Sequence, residues 1–246
     1  MTMLCRLLLL SCLAATAAVG RADSLDDLLA CYTEAVGGPA AFEAIHNLRV
    51  ELDIREPTFE VSGTYLASRD GRMRIDIEAG GRRVFAEGLV DGRAWQWNPE
   101  GGVLESNAAG AAALRNGIES PGRFWTLGQL QERGLAVELL EPGPLARPAE
   151  WQLRLSRDDG SVIDYFLDRA TCLPTREVSR RAFHPDVDAS EVSIETSFSE
   201  PEPIDGVVRF RRSDSRNLDT GEWLGTTLVR SVEHNVGLPD SLFEAR

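Results

Sequence analysis

The triplet Asp219-Thr220-Gly221 is a place where residue types and spacing suggest catalysis. In aspartic proteases this triplet supplies paired carboxylates that share one proton. Such a site needs flanking apolar strands and either a second copy of the triplet or a dimer partner. Here the polar Asn217 lies two positions before Asp219, Glu222 follows the triplet, and the sequence holds no second copy. We therefore interpret the triplet as a tight hairpin turn.

The segment Asp186–Ser190 has an acidic spacing similar to that of a calcium-binding loop. Glu191 stands where that loop needs glycine, and Ser197 stands where it needs a bidentate glutamate. We therefore interpret the segment as a solvated acidic loop. The sequence has no CxxC or HxxxH pair, no GxSxG elbow and no glycine-rich phosphate loop. We expect no metal, no cofactor and no enzymatic activity, with ordinary structural roles for the three histidines, His46, His184 and His234.

Large aromatic residues are the more informative candidates. Two tryptophans share one face of a predicted strand, and further rings lie in a helical insertion and on later strands. Rings of this size pack in a core or line an apolar ligand cavity, and both alternatives stay open. The candidate cavity-lining residues are Trp95, Trp97, Phe124, Trp125, Leu127, Tyr165 and Phe166.

Two arginine groups, Arg180-Arg181 and Arg209 to Arg212, also allow two interpretations. They can meet an acidic head group, or they can form ion pairs with carboxylates nearby. The formal net charge of −13 favours local ion pairs. An acidic surface also repels phosphate backbones, so we expect no nucleic-acid partner.

The first residues have the pattern of a secretory signal peptide. Arg6 is followed by a short apolar block and then by small residues up to Ala22, which predicts a signal peptide over residues 1–22. A retained membrane anchor is the first alternative, but the apolar stretch is shorter than the ~20 residues that a span requires. Lipidation of Cys12, which would tether the protein to a membrane, is the second alternative. Nothing later in the chain is apolar for long enough to cross a membrane, and we expect an exported, periplasmic protein of a Gram-negative bacterium.

Cys31 and Cys172 are the cysteines that remain after the leader. In an oxidising compartment such a pair can form a disulfide. Free cysteines, however, are often small buried apolar residues. The sequence leaves both alternatives open.

The elements that must position these residues are mostly strands. Ser24 starts a helix with an apolar stripe that ends at Gly37-Gly38, Pro39 opens a short second helix, and residues 106–134 form a helical insertion. Elsewhere apolar and polar residues alternate, which indicates half-buried antiparallel strands. The predicted strands are 48–55, 59–67, 73–79, 84–90, 94–97, 135–140, 151–155, 162–167, 173–181, 192–198, 207–211 and 224–228.

Eleven or twelve antiparallel strands in one sheet must curl or close. We predict a mainly β (α+β) fold over residues 23–246, in which one curved sheet forms an incomplete barrel with helices on its concave face. Pro142-Gly143-Pro144 is the best candidate for a domain boundary, and we interpret it as a loop within the continuous sheet.

Short motifs along this single domain resemble those of the LolA-like superfamily of exported proteins, which includes the outer-membrane lipoprotein-sorting carriers. The similarity covers nearly the whole chain after the leader and is carried mostly by turn residues. The matching stretches are Ala35–Gly38, Val90–Trp95, Trp151–Leu153, Tyr165–Asp168, Thr171–Pro174, Phe198-Ser199, Ile204–Val207, Asn235 and Leu242-Phe243.

The resemblance implies a half-barrel with helices against its open apolar side. Members of the superfamily carry lipoprotein acyl chains across the periplasm, and related ones sense envelope damage. We therefore expect a carrier that holds an acyl chain or another apolar ligand in the hollow. The alternative is an envelope sensor that binds a protein partner with the same fold.

Overall fold

A computed structural model describes residues 24–183 and 188–245 of the chain. Thirteen strands in this part form one antiparallel sheet that does not close into a barrel. Their order is β6-β5-β4-β3-β2-β1-β13-β12-β11-β10-β9-β8-β7. The strands are β1 (Asn47–Glu56), β2 (Phe59–Ser68), β3 (Met73–Ala79), β4 (Arg82–Val90), β5 (Arg93–Asn98), β6 (Gly102–Glu105), β7 (Ala136–Leu140), β8 (Glu150–Ser156), β9 (Val162–Asp168), β10 (Pro174–Ala182), β11 (Glu191–Ile204), β12 (Val207–Asn217) and β13 (Trp223–His234).

This order joins two meanders, β1 to β6 and β7 to β13, by pairing the first strand with the last. The β1–β13 pairing runs from Leu48 opposite His234 to Arg55 opposite Thr226. The middle of the sheet is therefore built from the two ends of the domain. Residues 106–135, which link the meanders, carry the helical insertion.

Within the described ranges, four α-helices cover the concave face of the sheet. They are α1 (Leu25–Ala35), α2 (Pro39–Glu43), α3 (Ala108–Ile118) and α4 (Leu127–Glu132), and a 3₁₀ turn spans Asp240–Leu242. The Ser24 side chain caps α1 by accepting a hydrogen bond from the Asp27 amide, and Thr126 and Gln129 form a capping box at α4. These local signals fix where the helices begin.

Gly37, just beyond α1, is the glycine with the clearest steric requirement. Its φ of 123° lies in the region that favours glycine, and a Cβ there would lie 2.0 Å from the Gly206 carbonyl oxygen. The Val208 amide donates to the Val36 carbonyl at 2.9 Å in the same place. The end of α1 is thus fixed against the β11–β12 hairpin.

The predicted fold class is confirmed, with one strand more than expected. β6 was missed because Gly102–Glu105 is short and shows no alternation of apolar and polar residues. Asp219–Gly221 is the turn between β12 and β13, as predicted, and Pro142–Pro144 lies in the loop between β7 and β8. The predicted leader, residues 1–22 with Cys12, lies outside the described residues, as do His184, Asp186 and Val187.

The two faces of the sheet are packed differently. The concave face and the helices share one apolar core, which includes Leu28 and Tyr32 of α1, Leu127 and Leu130 of α4, and Leu153 of β8. A disulfide between Cys31 of α1 and Cys172 of the β9–β10 turn ties this helical layer to the sheet.

Charged residues are buried on the convex face. Arg176 of β10 is 1% exposed and donates to Glu150 of β8 at 2.6 Å and to Glu195 of β11 at 2.8 Å. Its guanidinium carbon also lies 3.6 Å from the centre of the Phe166 ring. Although burial opposes ionisation, hydrogen bonds from Arg176, the Arg147 amide and Thr175 hold the pKa of the Glu150 carboxyl below its usual value.

Candidate functional site

A cavity of about 490 Å³ lies between the concave face of the sheet and its helical cover, and it is open on one side. Small-molecule sites have volumes of about 300–1,000 Å³, so this cavity has the size of one small ligand. Its wall is formed by Tyr32, Val36, Leu48, Val50, Leu52, Ile54, Tyr65, Ile75, Ser120, Pro121, Gly122, Arg123, Leu127, Tyr165, Pro174, Glu177, Phe198, Val208, Arg209, Phe210, Ser213, Thr227, Val229 and Val232.

The apolar part of the wall follows from the two-residue period of the strands. Every second residue of β1, from Leu48 to Ile54, points to the same face of the sheet. Val229 and Val232 of β13 continue this surface on the neighbouring strand. A one-residue register shift between Glu51 and Leu52 keeps the apolar side chains of both strands on the concave side.

The other part of the wall is polar. The Arg123 guanidinium, from the loop before α4, lies 4.5 Å from the centre of the Tyr65 ring. Tyr165 of β9 and Glu177 of β10 are register partners, so their side chains leave the sheet on the same face. The Tyr65 and Tyr165 hydroxyls are buried and have no hydrogen-bond partner within normal distance among the described residues. We call Tyr65, Arg123, Tyr165 and Glu177 the polar cluster.

Burial dominates the titration of this cluster. It raises the pKa of the Glu177 carboxyl above its usual value, against the opposing influence of Arg181, Tyr165, Arg157 and Arg123. Burial raises the pKa of the Tyr165 phenol as well, and the charge of Glu177 adds to this effect. The tyrosine is therefore a neutral hydroxyl at physiological pH, and the Glu177 carboxylate beside it is an acceptor for its hydrogen.

Two arginines bind the loop between α3 and α4, residues 119–126, which covers the cavity and which we call the roof. Arg209 of β12 donates to the carbonyls of Gly122 and Arg123, and Arg69 donates to the carbonyls of Phe42, Ile45 and Phe124. Burial, together with the charge of Arg123, lowers the pKa of Arg209 to about 10, so it stays a cation at neutral pH. Backbone carbonyls, which carry no full charge, are thus the partners of both side chains in the roof.

The cavity-lining residues predicted from sequence are divided among three places. Leu127 and Tyr165 lie in the cavity wall. Phe124 and Trp125 are buried in the core between the helices and the sheet, where their rings meet edge to face with centres 5.6 Å apart. They belong to the roof but do not line the cavity.

The remaining three predicted residues, Trp95, Trp97 and Phe166, lie on the convex face, which corrects their assignment to a cavity. The Trp95 indole donates to the Phe243 carbonyl at 3.1 Å, and Arg83 stacks on Trp97 at 4.0 Å. Phe166 is the neighbour of the cavity residue Tyr165 and therefore points to the opposite face. Alternation shows that a strand has two faces, but it does not show which face will be concave.

The arginine groups also divide. Arg180, Arg211 and Arg212 form ion pairs with carboxylates nearby, as favoured from the net charge. Arg209 differs, because it reaches the roof carbonyls and the His234 ring instead of a carboxylate. Sequence reasoning missed Arg123 and Glu177, although a single acidic residue on the apolar face of a predicted strand was a usable signal.

No helix in the ranges 24–183 and 188–245 is long and apolar enough to cross a membrane. No family model matches the chain, and no curated protein matches it.

Solved structures share the fold. A LolA superfamily protein from Nitrosomonas europaea superposes with a TM-score of 0.56 at 13% identity, covering 89% of this chain and 96% of the other. A DUF1329 family protein from Desulfovibrio piger gives 0.55 at 15% identity, with coverage of 89% and 96%. A domain from Vibrio parahaemolyticus, named for outer membrane lipoprotein sorting, gives 0.53 at 12% identity, covering 87% and 95%. The resemblance to the LolA-like superfamily is therefore confirmed for the fold.

Proposed function

We propose that this protein is a non-enzymatic periplasmic carrier that holds one acyl chain, or an apolar ligand of similar shape, in the cavity of its half-barrel. The observation that carries the proposal is the open cavity of about 490 Å³ with a continuous apolar wall on β1 and β13. A folded core is normally packed without voids of this size. An apolar surface that stays open therefore fits a ligand that completes the core.

The source of affinity in this proposal is burial of the chain. Each buried methylene contributes about 0.8 kcal/mol to the free energy of binding. Even a short alkyl chain therefore offsets the entropy that it loses when it is ordered in the cavity. No reacting group is needed. The fold neighbours named for the LolA superfamily and for lipoprotein sorting support an exported carrier, and a cleaved leader over residues 1–22 would supply the route.

Two tryptophan substitutions on β13 test the proposal. Val229 lines the cavity, whereas its neighbour Leu228 points to the convex face and is 39% exposed. Val229→Trp is expected to fill part of the cavity and weaken binding of an apolar fluorescent dye at least about tenfold. Leu228→Trp is the matched control and is expected to bind dye like the wild type.

Thermal denaturation of both variants separates blocked binding from misfolding. A Val229→Trp protein that melts cooperatively and still binds dye at wild-type affinity would contradict the carrier proposal. Wild-type protein that binds neither the dye nor an alkyl chain would contradict it as well, and would favour the alternative of an envelope sensor that binds a protein partner.

A further inference from the structure

The charge of the cavity differs in sign from the charge of the chain. The whole sequence has a formal net charge of −13. Among the described residues that line the cavity, Arg123 and Arg209 are the cations and Glu177 is the one anion. Arg157 and Arg181 lie close enough to influence Glu177 electrostatically. An acidic protein thus keeps an excess of positive charge inside this cavity.

Arg123 is the cation in this wall whose terminal donors are still available. The two terminal nitrogens of Arg209 donate to the Gly122 and Arg123 carbonyls, and among the described residues only its buried Nε has no partner. The Arg123 guanidinium stacks on Tyr65, and its side chain forms no ion pair or hydrogen bond with the rest of the described chain. A stacked guanidinium keeps its edge free, and that edge matches the two oxygens of a carboxylate.

The tyrosines beside it add a second, independent observation. Tyr65 is 8% exposed and Tyr165 is 4% exposed, and both line the cavity. Their hydroxyls have no hydrogen-bond partner within normal distance in the described ranges. A buried hydroxyl without a partner costs stability, so such groups are normally satisfied by protein, water or ligand. Tyr165 has the Glu177 carboxylate beside it as a weak acceptor, whereas the Tyr65 hydroxyl has no such neighbour among the described residues. An unsatisfied Tyr65 hydroxyl next to an available arginine edge therefore points to a ligand group that accepts hydrogen bonds.

Resting on the proposed carrier function, we propose that Arg123, Tyr65 and Tyr165 bind the carboxylate of a single-chain amphiphile whose alkyl chain lies along β1 and β13. Arg123 supplies the charge and the two tyrosines supply further donors. The ligand is then a fatty acid or a similar long-chain carboxylate. A neutral chain, such as an ester, fits the apolar wall and can accept a hydrogen bond at its carbonyl oxygen, but it brings no negative charge to Arg123.

Glu177 has the opposite effect on such a ligand. Its carboxyl faces Tyr165, Arg123, Arg157 and Arg181, and a negative charge on it repels a second carboxylate in the same cavity. Replacing it by glutamine removes this repulsion and keeps the shape. The sign of that change distinguishes an anionic head group from a cationic one, because an amine would lose its counter-ion.

The test compares dodecanoate with methyl dodecanoate as competitors for a bound apolar dye, at neutral pH, on the full chain. Wild-type protein is expected to bind dodecanoate about tenfold more tightly than the ester, since hydrogen bonds to charged groups are strong. Arg123→Gln is expected to remove this preference and to leave ester affinity unchanged. Glu177→Gln is expected to increase the preference.

Arg133→Gln is the matched control. Arg133 also lies in the helical insertion and stacks on an aromatic ring, Trp125, at 4.4 Å, but it does not line the cavity. It is expected to keep the wild-type preference. Equal affinity of wild-type protein for acid and ester, or equal effects of the Arg123 and Arg133 variants, would overturn the head-group proposal alone. Failure of both competitors to bind would overturn the carrier function on which it rests.

Discussion

The two faces of one sheet treat their polar groups in opposite ways. On the convex face, Arg176 is buried and forms hydrogen bonds with Glu150, Glu195 and the Leu145 carbonyl. On the concave face, the polar cluster of Tyr65, Arg123, Tyr165 and Glu177 surrounds an open cavity, and its two hydroxyls have no hydrogen-bond partner within normal distance among the described residues. The convex network is complete within the protein, whereas the cavity wall has polar groups that the described residues do not satisfy. This contrast is the physical basis for placing a ligand on one face only.

The convex network should be the more sensitive of the two to mutation. Arg176→Met removes the one buried arginine between Glu150 and Glu195 in the described chain, and leaves them with the half-exposed Arg147 and Arg216. Loss of one partner of a buried ion pair costs about 3–5 kcal/mol, and we expect a loss of this size in the free energy of unfolding, measured by chemical denaturation.

Arg154→Met is the control for that prediction. Arg154 of β8 pairs with Asp164 of β9 at 2.7 Å, but the Arg154 side chain is 40% exposed. Exposed ion pairs contribute about 1 kcal/mol or less. If the two substitutions cost the same, the convex network is not the stabilising element that its burial indicates.

The disulfide is expected to have the next largest effect. Cys31→Ser with Cys172→Ser releases a link across 141 residues that ties α1, a wall of the cavity, to the sheet. Cross-links over long loops contribute about 2–4 kcal/mol. The double variant should unfold at a lower denaturant concentration than the oxidised wild type. A reducing agent should lower the unfolding midpoint of the wild type and leave that of the double variant unchanged. Identical unfolding curves for the two proteins would show that the helical cover does not depend on the link.

Glu177 gives a pH-dependent effect on the concave face. Its pKa is raised above the ordinary 4.5 in the folded state, so folding favours the protonated form. The stability that this preference contributes is full below the ordinary pKa and is lost as pH rises through the raised value. Glu177→Gln should therefore raise the Tm at neutral pH and leave it nearly unchanged in acid below the ordinary pKa. A Tm increase that is the same at both pH values would contradict burial of the carboxylate as the cause.

The smallest effect on stability is expected at Tyr65. Because its hydroxyl has no partner in the part of the chain that the structure describes, Tyr65→Phe should change the free energy of unfolding by less than about 1 kcal/mol. The same substitution should still weaken the binding of dodecanoate relative to the binding of its methyl ester. A loss of stability larger than that of Arg154→Met would mean that the hydroxyl is already satisfied in the folded protein, which would remove one support of the head-group site.

Much of the fold could be predicted from local patterns, because strand alternation and turn residues act over a few positions. The cap at Ser24, the Gly37-Gly38 stop and the Asp219–Gly221 turn are examples. β6 was not predictable in the same way, since its four residues are paired only through their contact with β5.

The site was much less predictable, because it depends on curvature and on contacts distant in sequence. Tyr165 and Phe166 are equally aromatic neighbours, yet the first lines the cavity and the second packs beneath Arg176. Arg123 meets Tyr65 only because the helical insertion folds back over β2. No spacing rule relates these two residues.

Native mass spectrometry of protein exported to the periplasm of a Gram-negative host, and purified without delipidation, tests the central claim most directly. The account predicts a population of wild-type and Leu228→Trp protein that carries one additional mass of a single-chain amphiphile, and its loss in Val229→Trp. Bare polypeptide mass for the wild type, together with no binding of added dodecanoate or dye, would contradict it.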